Sequence, residues 1–220
     1  MSGEKRDFDK EAASWDAGPR LKLAEDIFKV IVKQIEPSLD MDVLDFGCGT
    51  GLVAFPLSRL VSSVTGVDTS KGMLEVFDNK VKNEQIDNVK TLYLDLTEKD
   101  MVHGKYHAII SSMTLHHIED TKKILEHFYR VLLPGGKIAI ADLDTEEGNF
   151  HDSNEGIFHF GFDRKKLGRL FKEIGFTNIN FTRAAKMKKI CLDGKERTFD
   201  IFMITCKKKL KHKSYRKEAL

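Results

Sequence analysis

The chain has 220 residues, with 36 Lys and Arg against 34 Asp and Glu, 41% apolar residues and three cysteines. That length suits one domain around one hydrophobic core, and the composition is that of an ordinary globular protein, neither disordered nor fibrous. No window approaches the roughly 18 uninterrupted apolar residues of a membrane span, and the opening MSGEKRDFDKEAASWD holds no apolar secretory core, so spanning and secreted classes are set aside.

Leu21, Ala24, Ile27, Phe28, Ile31, Val32 and Ile35 recur at steps of three and four, which predicts an amphipathic helix closed by Pro37. A short apolar strand, residues 43–46, runs straight into Gly47-Cys48-Gly49-Thr50-Gly51. A helix over about 52–60 follows, with Pro56 tolerated in its early turns. The next strand, 63–67, ends at Asp68, and Ser70 caps a helix whose apolar face is Met73, Leu74, Phe77 and Val81. A third strand, 89–94, ends at Asp95-Leu96, and a fourth, 106–111, opens into SMTLHH. A helix from near Asp120 presents Ile124, Leu125, Phe128 and Leu132; Pro134-Gly135-Gly136 then turns into a fifth strand, 137–143.

Residues 144–162 follow no clean period and read as a substrate-side insertion. Asp163 caps another helix carrying Leu167, Leu170, Phe171 and Ile174, which Gly175 stops. Residues 177–183 and 198–206 read as strands joined through Asp193-Gly194. The tail, 207–220, carries seven Lys or Arg against one Glu, leaving 29 basic and 33 acidic residues in the body. Such a tail is expected to be solvated and disordered, with contact to an anionic partner as the alternative.

Alternating strands and helices predict a doubly wound α/β domain over residues 1–206. Its sheet is mostly parallel, and the closing hairpin adds an antiparallel strand at one edge. Ligands in such sheets lie beyond the carboxyl ends of the strands, at the switch point of strand order. Three cysteines, an odd number without CxxC spacing, argue against disulfides and a zinc site and fit a reducing cytoplasm. No spacing in the sequence supports a metal requirement.

Four features fall at those carboxyl ends. In Asp45-x-Gly47-x-Gly49-x-Gly51 the glycines let the backbone approach a ligand closely. The spacing is GxGxG, not the GxGxxG of dinucleotide enzymes. A carboxylate two residues upstream repels a pyrophosphate and attracts an ammonium or sulfonium. Asp68 is placed to accept ribose hydroxyls. Asp95-Leu96 can take an adenine amino group and ring, and the 111–117 segment faces the reacting end.

Together these motifs resemble the class I S-adenosylmethionine-dependent methyltransferases, especially the ubiquinone/menaquinone-biosynthesis type and related small-molecule enzymes. The resemblance rests on VLDFGCGTG (43–51), VTGVDTS (64–70), LYLDL (92–96), SSMTLHHIED (111–120) and LLPGGKIAIAD (132–142). It covers the chain from about residue 8 to 206 and implies a seven-stranded Rossmann-like sheet with an antiparallel seventh strand.

The resemblance implies S-adenosyl-L-methionine as cofactor and S-adenosyl-L-homocysteine as product. Gly47, Cys48, Gly49 and Gly51 would wrap the methionine part, with Asp45 near its amino group. Asp68, Thr69, Ser70 and Met73 would surround ribose and adenosine, Asp95 and Leu96 the adenine, and Ser111 the amino-acid end. Residues 1–18 would form a lid.

His116 and His117 are the candidate catalytic residues, histidine being suited to proton removal near neutral pH; a pocket-shaping role is the alternative. Trp15, Phe158, His159 and Phe160 are candidate substrate-pocket residues, with His151 in the same aperiodic segment. A small-molecule acceptor is the expectation. DNA is disfavoured, since no proline adjoins a proline or precedes a cysteine. An RNA or protein acceptor using the basic tail, and a non-catalytic cofactor-binding protein, stay open.

Overall fold

The computed structural model describes residues 7–94 and 102–210. Its sheet has seven strands in the order β3-β2-β1-β4-β5-β7-β6. At the centre, β1 (Asp42–Phe46) lies between β2 (Ser63–Asp68) and β4 (Tyr106–Ser112), parallel to both. β3 (Val89–Tyr93) extends one side and β5 (Leu132–Leu143) the other, again in parallel. β7 (Glu196–Lys208) runs antiparallel between β5 and β6 (Phe176–Ile190). The chain leaves β1 toward β2 on one side and returns to β4 on the other, so the switch point opens at the carboxyl ends of β1 and β4.

Two apolar layers hold the sheet. On one face α2 (Pro19–Ile35), α3 (Ala54–Ser58) and α4 (Lys71–Asn83) bring Ile27, Ile31, Leu57 and Phe77 against Val43 and Ile110. On the other, α5 (Thr121–Val131) and α6 (Arg164–Ile174) set Leu125, Phe128 and Phe171 against Leu44, Ile109 and Phe202. β1 alternates its side chains between these layers and is buried on both faces, as a central parallel strand must be. A short helix, α1 (Phe8–Glu11), continues into a 3-10 turn over Ala12–Ser14 and contacts α4.

The expected caps form. Ser70, Asp120 and Asp163 each accept a backbone N–H at a helix start, and Gly175 ends α6 with φ of 112°. α2 stops at Glu36, left-handed at φ of 52°, because the residue before Pro37 avoids the helical region.

Several features differ from expectation, among them β6, which runs to Ile190 where the strand was expected to end at 183. α3 shrinks to five residues around Pro56. Leu132 leaves the helix and pairs with Tyr106, so β5 starts there and Pro134-Gly135-Gly136 bulges out before the ladder resumes at Ala108 and Lys137. The antiparallel strand is β7, one position in from the edge; β6 takes the edge. β7 also runs two residues past Cys206, where the Lys208 ammonium donates to the carbonyls of Tyr129 and Leu132, the latter at 2.8 Å. Residues 211–220 of the basic tail lie outside the described residues.

Candidate active site

The glycine turn follows β1 and is pinned from two sides. Gly47 and Cys48 donate backbone N–H groups to the Val67 carbonyl, and Gly49 N donates to Asp68 Oδ2 at 2.8 Å. Asp68 Oδ1 accepts from Ser70 N at 2.9 Å, so one carboxylate ties the turn to the start of α4. A Cβ on Gly47 would stand 2.2 Å from Thr114 Oγ1, and one on Gly51 2.3 Å from the Phe77 ring. Gly49 differs: at φ of +52° its Cβ direction meets nothing within 4 Å. The turn is packed at both ends and open in its middle.

Beneath the turn Asp45 is buried, and burial together with the nearby Asp68 carboxylate pushes its pKa up to about 7. Burial also raises the Asp68 pKa, against the backbone donors that lower it. Neither acid has a salt-bridge partner among the described residues. A pocket with two crowded, unneutralised carboxyl groups favours a cationic ligand.

Other candidate cofactor residues have definite places. Thr69 is exposed, whereas Met73 is buried and its N–H donates to Ser70 Oγ. Cys48 is buried in the sheet-side core, with its thiol pKa raised by burial and by Asp45, so its sulfur is packing. Ser111 Oγ donates to the Phe46 carbonyl at 2.7 Å, which joins β4 to β1 just before the turn. Asp95 and Leu96 lie outside the described residues.

The histidine pair sits in a 3-10 turn, Leu115–His117, directly after β4. His116 is buried, and its Nδ1 lies 2.7 Å from Oδ1 of the fully buried Asp142 at the end of β5. Asp142 also accepts from the backbone N–H groups of Leu143 and His116, at 2.7 and 3.3 Å. With both its oxygens accepting, Asp142 fixes His116 Nδ1 as the donor and leaves the lone pair on Nε2. That Nε2 is buried without a hydrogen-bond partner, an arrangement that costs about 1–3 kcal/mol unless something fills it. His117 Nδ1 stands 3.1 Å from the Gly156 carbonyl and acts as donor there.

The aperiodic segment folds back over this turn. His151 is buried with its ring centroid 5.0 Å from His116 and 5.5 Å from His117, which are themselves 4.2 Å apart. Phe158 and His159 donate backbone N–H groups to the His116 carbonyl, so the loop is hung from the histidine turn. Among the candidate pocket residues, His159 turns its Nε2 to the Ile118 carbonyl and Thr121 Oγ1, while the Phe158 and Phe160 rings are largely exposed. Trp15 packs under the Arg20 guanidinium and against Phe8, whose ring reaches His117 at 5.4 Å.

Sequence reasoning assigned no role to Asp142 or to the acidic pins of the N-terminal segment. Asp142 stands one residue before the end of its strand, as Asp45 does, and Asp68 ends its own; that pattern was the available signal. Asp9 accepts from Ser70 Oγ at 2.6 Å and from Gly72 N at 2.7 Å, and Asp16 meets both Thr50 Oγ1 and Lys80. No helix among the described residues is long and apolar enough to cross a membrane.

Residues 43–136, which hold the glycine turn and the histidine pair, match the family model described as a methyltransferase domain. An uncharacterized methyltransferase of Schizosaccharomyces pombe is 29% identical over 174 residues, covering 72% of this chain and 61% of the relative. A ubiquinone biosynthesis O-methyltransferase of Coxiella burnetii is 26% identical over 157 residues, 66% of each chain. The chain thus spans less than two thirds of these curated relatives. Among solved structures, a phosphoethanolamine N-methyltransferase 2 of Haemonchus contortus, in complex with S-adenosyl-L-methionine, shares the fold at a TM-score of 0.68 and 19% identity. The match covers 94% of this chain and 61% of that one.

Proposed function

From the match of residues 43–136 to the methyltransferase-domain model and the likeness to curated methyltransferases, we propose that the chain is a class I S-adenosylmethionine-dependent methyltransferase that moves the methyl group of S-adenosyl-L-methionine to a small-molecule acceptor. The observation that carries this reading is the glycine turn, clamped to Asp68, open at Gly49 and set over a buried Asp45. An open main-chain surface beside two carboxyl groups suits a ligand that is cationic at both sulfonium and ammonium and carries no phosphate. In this reading Gly47, Gly49 and Gly51 border the methionine part with Asp45 near its ammonium, and Asp68 takes the ribose with its remaining lone pairs. Thr69 and Ser70 edge the adenosine, and Asp95 and Leu96 take the adenine.

When bound, the cofactor supplies an electrophilic methyl on a good, neutral leaving group, so the protein's task is chiefly alignment. His116 and His117 border the acceptor's side of the site, and Trp15, Phe8 and the 144–162 segment shut water out around them. The three cysteines are free thiols, two of them with burial-raised pKa values, in keeping with a reducing cytoplasm.

Calorimetry with S-adenosyl-L-homocysteine, followed by transfer of labelled methyl into extracted small-molecule, nucleic-acid and protein pools, tests the reading. Saturable binding and label in a small-molecule pool are expected. Label that nuclease or protease removes would overturn the acceptor class, and binding without any transfer would overturn catalysis.

A further inference from the structure

Three imidazoles converge at the carboxyl ends of β4 and β5, and we propose that His116, His117 and His151 bind one divalent transition-metal ion of the zinc class. One ring nitrogen of each lies within 4.8 Å of those of the other two. Closing these nitrogens onto a shared ion at about 2.0–2.1 Å from each asks for small shifts of the half-buried His117 and the loop-borne His151, with His116 held still.

The surroundings are those of a ligand set rather than of a packed aromatic cluster. A histidine that binds a metal through one nitrogen donates its other N–H to a carboxylate or a backbone carbonyl, which fixes tautomer and orientation. His116 has the first arrangement, to Asp142 at 2.7 Å, and His117 the second, to the Gly156 carbonyl at 3.1 Å. The free His116 Nε2 is buried and has no partner. Face or edge contact with a neighbouring imidazole leaves that in-plane lone pair unused, whereas a cation uses it.

The donor set also selects the ion. Three neutral nitrogens suit zinc, cobalt, nickel or copper, while calcium and magnesium ask for oxygens. Three protein ligands leave the fourth position to water or to an oxygen or nitrogen of a bound molecule, which is the pattern of open, reactive metal sites. Residues 116, 117 and 151 form no recognisable linear ligand motif; the third ligand arrives on the loop hung from the His116 carbonyl. That the open position faces a methyl acceptor rests on the methyltransferase reading; ion binding itself does not.

Full-length protein, stripped with a chelator, is titrated with Zn²⁺ against a chromophoric chelator and with Co²⁺ followed by visible absorption. S-adenosyl-L-homocysteine binding is measured separately. One ion per chain is expected, with the strong visible bands of low-coordinate cobalt. Affinity should fall at least ~10-fold in His117→Ala and in His151→Ala, and about 10- to 100-fold in Asp142→Asn. His151 sits on a loop, so H151A keeps the test meaningful where a His116 variant fails to fold; a thermal shift on adding Zn²⁺ should be seen in the parent and lost in H151A. Absence of saturable binding, or binding unchanged in both H117A and H151A, overturns the site. Metal binding without cofactor binding would strike only the methyltransferase reading, and the converse only the metal site.

Discussion

His116 Nδ1 and Asp142 Oδ1 stand 2.7 Å apart with both side chains buried, although 26 residues separate them in the chain. The aspartate is acceptor-only in this setting: Leu143 N–H enters Oδ1 and His116 N–H enters Oδ2. Asp142→Asn keeps the shape but must place an amide NH₂ against one of these donors. Stability should fall by about 1–3 kcal/mol, and turnover by about 10- to 100-fold as the imidazole loses its fixed tautomer. Cofactor affinity should hold. Turnover equal to the parent's would show that His116 needs no anchor.

The three glycines of the turn should separate folding from binding. Gly47→Ala and Gly51→Ala each press a methyl into a neighbour already in place, Thr114 and Phe77, at a positive φ. Both should destabilise the protein strongly. Gly49→Ala meets no atom within 4 Å and carries only the left-handed backbone cost, about 1–2 kcal/mol. It should fold, melt a few degrees lower, and bind S-adenosyl-L-homocysteine at least ~10-fold more weakly, because its methyl stands on the ligand's side. Calorimetry beside a melting curve checks this; full affinity in G49A would move the ligand elsewhere.

Asp45 sets a pH dependence whose sign is fixed by its surroundings. The folded protein keeps a proton on Asp45 up to about pH 7, against an ordinary carboxyl value of 3.8. Between those limits the folded state binds more protons than the unfolded, so this residue's contribution to stability falls as pH rises through the window. A cationic ligand reverses the preference by favouring the carboxylate. Cofactor affinity should therefore climb with pH below about 7, by at most about tenfold per unit, and level off above. Binding in the lower range should release protons, seen as a buffer-dependent heat. Asp45→Asn should flatten both the affinity slope and this part of the stability profile. A slope that survives in D45N would assign it to another group.

The parts of this fold that were legible are local ones. Ser70, Asp120 and Asp163 announce helix starts because a cap bonds only three residues ahead, and Gly47–Gly51 announces a ligand turn because its constraint is backbone shape. Period alone could not tell that Leu132 belongs to a strand, since its apolar side chain serves the helix face and the ladder equally. The position of β7 inside the sheet depends on pairing between distant segments, which no local pattern encodes. The same holds for the site's far side: His151 lies in a segment without period, and nothing near Asp142 points to a histidine 26 residues earlier.

The hold of the N-terminal segment on the site rests on equally distant contacts, and Gly72 gives access to it. Asp9 caps the first turn of α4 through Ser70 Oγ and Gly72 N, and these hydrogen bonds lower its pKa. A Cβ on Gly72 would meet the Asp9 backbone at 2.8 and 2.9 Å, atoms that cannot rotate aside as a side chain could. Within α4 itself the change from glycine to alanine favours the helix by roughly 0.8–1.0 kcal/mol. Gly72→Ala should thus leave global melting nearly unchanged while it pushes α1 off α4 and carries Phe8 away from His117. Limited proteolysis should cut residues 7–18 faster than in the parent, and S-adenosyl-L-homocysteine should dissociate several-fold faster. Faster cleavage with a parent-like release rate in G72A would show that the segment does not hold the ligand in.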